Sequence, residues 1–323
     1  MTQTPPFTGR DTKVAVPAGV AASVSSPPAA PTDASTPSRA YSVRQINPAL
    51  LGILPFVLVV GVFLVLPVVV NLWTSFHNNA GEWSFESFIR LGEAQYVSAF
   101  VNTAALATTT ALIGGLGGLI LAWALATLRR PAWLRDVVLS FSGVASQFGG
   151  VPLAFAFVAA LGTQGVVTNA VRDTFGIDLS ELLPLSDFAG LVVVYLYFQI
   201  PLMAILMLPA VSGLRREWRE SATSLGAGPV RFLLQIVMPI ISPAVGGAVL
   251  VLFANAFSAF ATAYALSGGG ANLVPILIGF FVSGNVVVDE SFGATLATGM
   301  MAVVAVSMLA RWVLMRRVTR WLR

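Results

Sequence analysis

Residues Arg219 to Pro243 read RESATSLGAGPVRFLLQIVMPIISP, a polar and basic stretch held between two long apolar runs. Gly226, Gly228 and Pro229 break it in the middle. Ahead of the break, Leu214, Trp218, Ala222 and Leu225 follow at spacings of four, four and three, which on a helix makes one apolar stripe. Arg215, Arg216 and Arg219 fall off that stripe. Past the break, Pro229 suits the first helical position, where its missing N–H costs nothing. Val230, Leu233, Leu234, Val237 and Ile241 then define a second apolar face. The pattern predicts a short helix, a glycine turn and a second helix running into an apolar span.

The rest of the chain agrees with that reading. It is 56% hydrophobic and only 10% charged, with a mean hydropathy of +0.83. A water-soluble domain of this length has no use for so much apolar material, so the composition predicts a polytopic membrane protein. No cysteine is present, which excludes disulfides, thiolate metal sites and cysteine nucleophiles. A single histidine, His77, excludes paired-histidine metal sites. The one lysine, Lys13, lies between Thr12 and Val14, so no phosphate-binding loop of the Gly-Lys-Ser/Thr type exists. If ATP drives anything here, another subunit must hydrolyse it.

Residues 1 to about 45 are rich in Pro, Ala, Ser and Thr and lack periodicity, which predicts a disordered tail. A domain of six spans follows over 46–323. The first runs from about Leu50 to Trp73, with Trp73 and Phe76 as interfacial aromatics. The second runs from about Asn102 to Leu128, and Gly114, Gly115, Gly117 and Gly118 in its middle invite close approach of a neighbour. The third runs from about Val137 to Leu161. Its Ser146-Gln147-Phe148-Gly149-Gly150-Val151-Pro152 segment loosens the helical ladder and brings an amide to membrane depth. Such backbone suits either a kink with Gln147 bonded between helices or a wall of a water-filled path. The fourth runs from about Phe188 to Leu214 and carries Gln199 and Pro201. The fifth, about Ile241 to Leu266, places Asn255, Ser258 and Thr262 on one face, as a pore stripe or an interhelical contact. Val274 to Ser283 is apolar but too short to span, so it is expected at the outer face. The sixth runs from about Phe292 to Leu309.

Charge orients the spans. Of eighteen Lys and Arg, all but Arg90 and Arg172 fall on the tail, the 129–135 loop, the central loop and the C-terminal end. Glu82, Glu86, Glu93, Asp173, Asp178, Glu181, Asp187, Asp289 and Glu290 fall on the opposite loops. Positive residues stay inside, so both termini and the central loop are expected in the cytoplasm of an inner-membrane protein. The basic C-terminal end, with Trp312 and Trp321, reads as an interfacial anchor.

Within the central loop, Glu220, Ala222, Gly226 and Ala227, followed by a hydrophobic helix with Pro239 and Pro243, resemble the cytoplasmic signature loop of permeases of binding-protein-dependent ABC importers. Leu225 also matches. Ser221 stands where the family most often has a second Ala, and Ser224 where it often has Asp or Thr. Weaker likenesses lie at Leu72–Phe76 and Asn102-Thr103. Ala259–Thr262 with Ser267–Gly270 looks most like the branch importing polyamines, phosphonates, iron or thiamine. The resemblance covers about residues 50 to 320.

The resemblance implies an all-α membrane protein with six spans and a cytoplasmic coupling helix, about 215–240, between the fourth and fifth. It implies docking of Trp218, Glu220, Ser221, Ala222, Leu225, Gly226, Ala227 and Pro239 on an ATPase. The expected partners are two ATP-binding ABC subunits, a second permease subunit (the same or a related chain), an extracytoplasmic solute-binding protein and the lipid bilayer, with no nucleic acid. ATP and Mg would sit on the ATPase, and this chain would bind no cofactor, hold no metal and catalyse nothing. Trp218, Ala222 and Leu225 are expected to fill the socket. Gln147, Gly149, Gly150, Gln199, Asn255, Ser258 and Thr262 are candidates for the path of a small polar solute. A stand-alone secondary carrier is the rival, though proton-driven carriers usually hold carboxylates within their spans. None is present inside these cores.

Overall fold

The computed structural model describes residues 48–128, 131–283 and 289–321. The expected tail over 1–45, the boundary at 46, and Arg129 and Arg130 of the first basic loop lie outside these residues. From Pro55 onward the helices pack as one unit. The chain begins with α1 (Pro48–Val60), a π-helical turn (Gly61–Val65) and α2 (Leu66–Ser75). A bend carrying an isolated bridge between His77 and Trp83 leads to the short α3 (Glu86–Leu91) and the long α4 (Ala94–Thr127). Then come α5 (Ala132–Gln147), α6 (Val151–Leu161), α7 (Val166–Phe175), α8 (Leu179–Leu182) and α9 (Phe188–Ser212). The central loop is α10 (Arg216–Ser224) and α11 (Pro229–Phe232). A second π turn (Leu233–Val237) joins it to α12 (Met238–Ser258), followed by α13 (Ala261–Ser267), α14 (Val274–Ser283) and α15 (Glu290–Trp321). No strand is found among the described residues.

Among the described residues, six stretches are long and apolar enough to cross a membrane: Ile53–Ser75, Ala94–Thr127, Val151–Phe175, Phe188–Ser212, Pro229–Ser258 and Glu290–Arg316. Two differ from expectation. The predicted third span, Val137–Leu161, is not one helix, because it breaks at Phe148–Gly150 between α5 and α6. Pro152 has no N–H for the carbonyl four residues back, and Gly150 turns to φ +75°, a conformation side chains resist. The predicted fifth span, Ile241–Leu266, likewise ends early, at Ser258, and Ala259 is extended before α13 begins.

The centre of the bundle is the crossing of α4 and α9. A β-carbon added at Gly114 would stand 2.7 Å from Gln199 Cβ, and one at Gly118 would stand 2.4 Å from Met203 Cβ. These glycines bring two backbones into contact, as their clustering predicts, and with no hydrophobic force between helices in lipid such contact supplies the cohesion. Tyr195, Phe198, Phe257 and Ile276 form one buried cluster beside this crossing, and Met203, Met207, Leu252 and Val237 another. The first span packs on α15 through α2, and hydrogen bonds fasten its end. Asn71 Nδ2 donates to Ala294 O at 3.3 Å and to Thr298 Oγ1 at 3.2 Å, and the Ser291 hydroxyl donates to the His77 carbonyl.

The short segment Val274–Ser283 is a helix too brief to span, as its length predicts, and it packs on α15 around Tyr96, Val274 and Phe292. Arg90 covers this cluster. Its Nη1 lies 2.9 Å from Asp289 Oδ2, and its guanidinium is centred 4.2 Å from the Phe292 ring. Arg90→Met removes both contacts, and thermal unfolding in detergent should show a loss of about 1–2 kcal/mol. If the transition does not move, the cluster is not held by that cation.

In the loop after α7, Asp178 caps α8. Its Oδ1 accepts from the Ser180 N–H at 3.0 Å and from the Ser180 hydroxyl at 2.7 Å, while Arg172 pairs with its other oxygen. The Ser180 hydroxyl first, and Arg172 with the backbone N–H after it, hold the carboxyl below its ordinary range. A depressed carboxylate stabilises above its ordinary pKa and loses that contribution as pH falls through the folded value. Ser180→Ala should therefore move the titration of Asp178, followed by carboxyl carbon shifts, upward. A midpoint that stays or falls would contradict the assignment.

Candidate functional site: the central loop and the broken spans

The central loop forms as its pattern predicts. Arg215 is extended, and α10 winds through nine residues with Arg216 and Glu220 paired at 3.2 Å along its exposed face. The helix ends because Gly226 adopts φ +76°, letting its N–H reach Thr223 O at 3.0 Å and the Ala227 N–H reach Ala222 O at 2.9 Å. Those bonds satisfy carbonyls that a helix end leaves orphaned. Pro229 then opens α11 at the first position.

One expectation is corrected here. Trp218, Ala222 and Leu225 do not form a shared free surface: Ala222 is buried against its own chain, while Leu225 is 87% exposed and Trp218 37%. The stripe therefore splits, with Ala222 turned inward and Leu225 projecting at the turn. Glu220, Ser221, Gly226 and Pro239 are exposed, and Ala227 is half-buried.

Both π turns share a cause. Each closes through a bond five residues back, Leu66 N–H to Gly61 O and Met238 N–H to Leu233 O. Each ends two residues before a proline, Pro67 or Pro239. The widened turn makes room for a ring that would strike the carbonyl of an ordinary helix.

The candidate path residues fall into separate places. Gly149, Gly150 and Thr262 come together, with the Gly150 N–H donating to the Thr262 hydroxyl at 2.7 Å. Asn255, Ser258 and Thr262 do not share one helical face, since the chain leaves the helix at Ala259 between them. Ser258 donates to Ala254 O of its own helix at 2.9 Å, and Asn255 is half-buried. Gln147 is exposed at the end of α5. Gln199 is fully buried at the α4–α9 crossing and donates to Leu252 O of α12 at 2.9 Å, while its Oε1 accepts no hydrogen bond among the described residues.

Sequence reasoning missed Tyr195. Its buried hydroxyl donates to Ala259 O at 2.8 Å, the carbonyl released where the fifth span leaves the helix. Left alone in an apolar interior, that carbonyl would cost about 1–3 kcal/mol. The available signal was a phenol inside an uncharged span, because such a hydroxyl needs an acceptor.

Comparison with known proteins gives this arrangement a context. No family model matches the chain. A probable sulfate transport system permease protein cysT of Nephroselmis olivacea is 27% identical over 213 residues, covering 64% of this chain and 69% of the relative. A spermidine/putrescine transport system permease protein PotC homolog of Mycoplasma pneumoniae is 21% identical over 217 residues, covering 62% and 70%. Among solved structures, a chain of a bacterial alginate ABC transporter, in complex with an alginate pentasaccharide-bound periplasmic protein, superposes with a TM-score of 0.66 at 18% identity. That match covers 84% of this chain and 94% of the other. With six apolar stretches among the described residues and a glycine-broken basic loop between the fourth and fifth, the chain is similar to permease proteins of transport systems in sequence and to an ABC transporter chain in fold.

Proposed function

We propose that this chain is a permease component of a binding-protein-dependent ABC importer, pairs with a second permease chain, carries two ATPase subunits on its cytoplasmic face and receives a small polar solute from an extracytoplasmic binding protein. ATP and Mg would bind on the ATPase subunits alone. The observation that carries the proposal is the central loop. A nine-residue helix ends at a left-handed glycine, projects Leu225 into solvent, and continues through Pro229 into the fifth apolar stretch. A rigid arm joined directly to a span can transmit displacement at its tip into the bilayer. Arginine bias supports a cytoplasmic position for that arm and both termini in the inner membrane.

In this reading Leu225 and Trp218 contact the ATPase, the Arg216–Glu220 pair flanks them, and Ala222 turns inward. The relatives are named for sulfate and for spermidine/putrescine transport, which supports a small polar solute as the cargo class. Purification of the tagged chain from its native membrane, with and without Glu220→Arg, tests the assembly. An ATPase subunit should accompany the parent and be depleted from the variant. If the chain purifies alone and moves solute in vesicles without ATP, it is a secondary carrier instead.

A further inference from the structure

The two interrupted spans break opposite each other, and the breaks differ in kind from the glycine crossing at the centre. At the α4–α9 crossing, β-carbons added to Gly114 or Gly118 would collide at 2.7 and 2.4 Å, so those helices are interlocked. Where α6 meets α13, a β-carbon at Gly149 would meet only the Thr262 hydroxyl at 4.0 Å, and one at Gly150 only the Ala261 methyl at 3.6 Å. This second contact is open, and a hydrogen bond from the Gly150 N–H to the Thr262 hydroxyl bridges it. Tyr195 holds the Ala259 carbonyl two residues before α13 begins, which aims Thr262 at Gly150.

Depth places this contact away from the central loop. α5 supplies twelve helical residues after Arg135, a rise of roughly 18 Å in a hydrocarbon core of about 30 Å. The other break follows the thirty-residue stretch Pro229–Ser258. Both therefore lie in the half of the membrane opposite the arginine-rich loops.

We propose that the Gly150–Thr262 bond, positioned by Tyr195, is the outer closure of the translocation path, and that it parts during transport. This rests on the importer orientation given above. Parting it exposes a backbone N–H and a hydroxyl to the water that enters the path, and water replaces each partner, so the exchange is nearly balanced. No charge has to be dehydrated for the closure to reseal. The central crossing, by contrast, stays shut because its backbones touch.

The absence of cysteine makes the test direct. Gly149 does not have a left-handed φ, so Gly149→Cys provides a single thiol beside the closure. The assembled transporter, in right-side-out vesicles without ATP, is treated from outside with a membrane-impermeant maleimide. Thr262→Val keeps the side-chain shape and deletes the acceptor, and should raise the labelling rate roughly five- to tenfold, the population shift expected for one net hydrogen bond. Thr262→Ser should leave it near the parent rate, which a purely structural role for the methyl group would not produce. Tyr195→Phe should raise it by a smaller factor, and decides the matter by itself if Thr262→Val fails to insert. Unchanged labelling with the hydroxyl removed overturns the closure. Trapping the ATPase with ATP and vanadate should also raise labelling in the parent. If Thr262→Val acts and trapping does not, the closure stands and the ATP-coupled reading falls.

Discussion

Gly118→Val is expected to leave little folded protein in the membrane, and what can be extracted should unfold well below the parent. The new side chain would place Cβ 2.4 Å from Met203 Cβ and 2.5 Å from the Ile200 carbonyl oxygen. Neither is the loose end of a side chain, so α4 and α9 have to separate. Overpacking that side chains can absorb costs about 1–3 kcal/mol. Here the separation also strips the contact between Gly114 and Gln199 and disturbs the bond from Gln199 to Leu252 O, so the loss should exceed that range. Gly117→Ala is the matched control, because its β-carbon would meet only the flexible Ile200 side chain at 3.3 Å. Its cost should stay within about 1 kcal/mol. Thermal transitions of the two variants in one detergent decide the point, and equal transitions would sink the interlocking argument.

Gly226→Pro should give the opposite phenotype, a normal bundle with a misdirected arm. Nothing packs within 4 Å of the position a β-carbon would take at Gly226, so the spans do not feel the change. The turn does, since φ is +76° there and proline is confined near −65°. Proline also deletes the N–H that reaches Thr223 O. The expected result is membrane levels near the parent, with retention of the ATPase subunit reduced roughly tenfold or more, the factor for a docking penalty of about 1.4 kcal/mol. Gly226→Ala should fall between, because a left-handed alanine costs about 1–2 kcal/mol. Full ATPase retention by the proline variant would remove the glycine turn from the docking geometry.

Much of this architecture was legible because it depends on local pattern. Composition predicted spans, the four glycines of the second span predicted a close crossing, and ten apolar residues from Val274 predicted a helix too short to cross. The central loop was legible for the same reason: a stripe, a glycine and an N-terminal proline act within one or two turns. The breaks were harder to place. Loosened sequence at Gly149-Gly150 was visible, but the partner that satisfies it, Thr262, lies 112 residues away. Nothing local marked Ala259 as the place where the fifth span leaves the helix, since the carbonyl it frees is answered by Tyr195, 64 residues earlier. Helical spacing consequently put Asn255, Ser258 and Thr262 on one face that does not exist. Ala222 misled differently, because a stripe records which residues avoid water and not which protein covers them.

The π turn at Leu233–Val237 makes the aim of the arm a matter of residue count. Such a turn holds one residue more than the α-helix it replaces, and one residue amounts to about 100° of rotation. Deleting a residue there would leave the packing of α12 from Met238 onward in place and swing α10 about a quarter-turn around the axis of the span. Chain length between Pro229 and Pro239 thus acts as a dial. In the proposed assembly, a single-codon deletion at this point would leave the spans intact and turn the arm away from its socket.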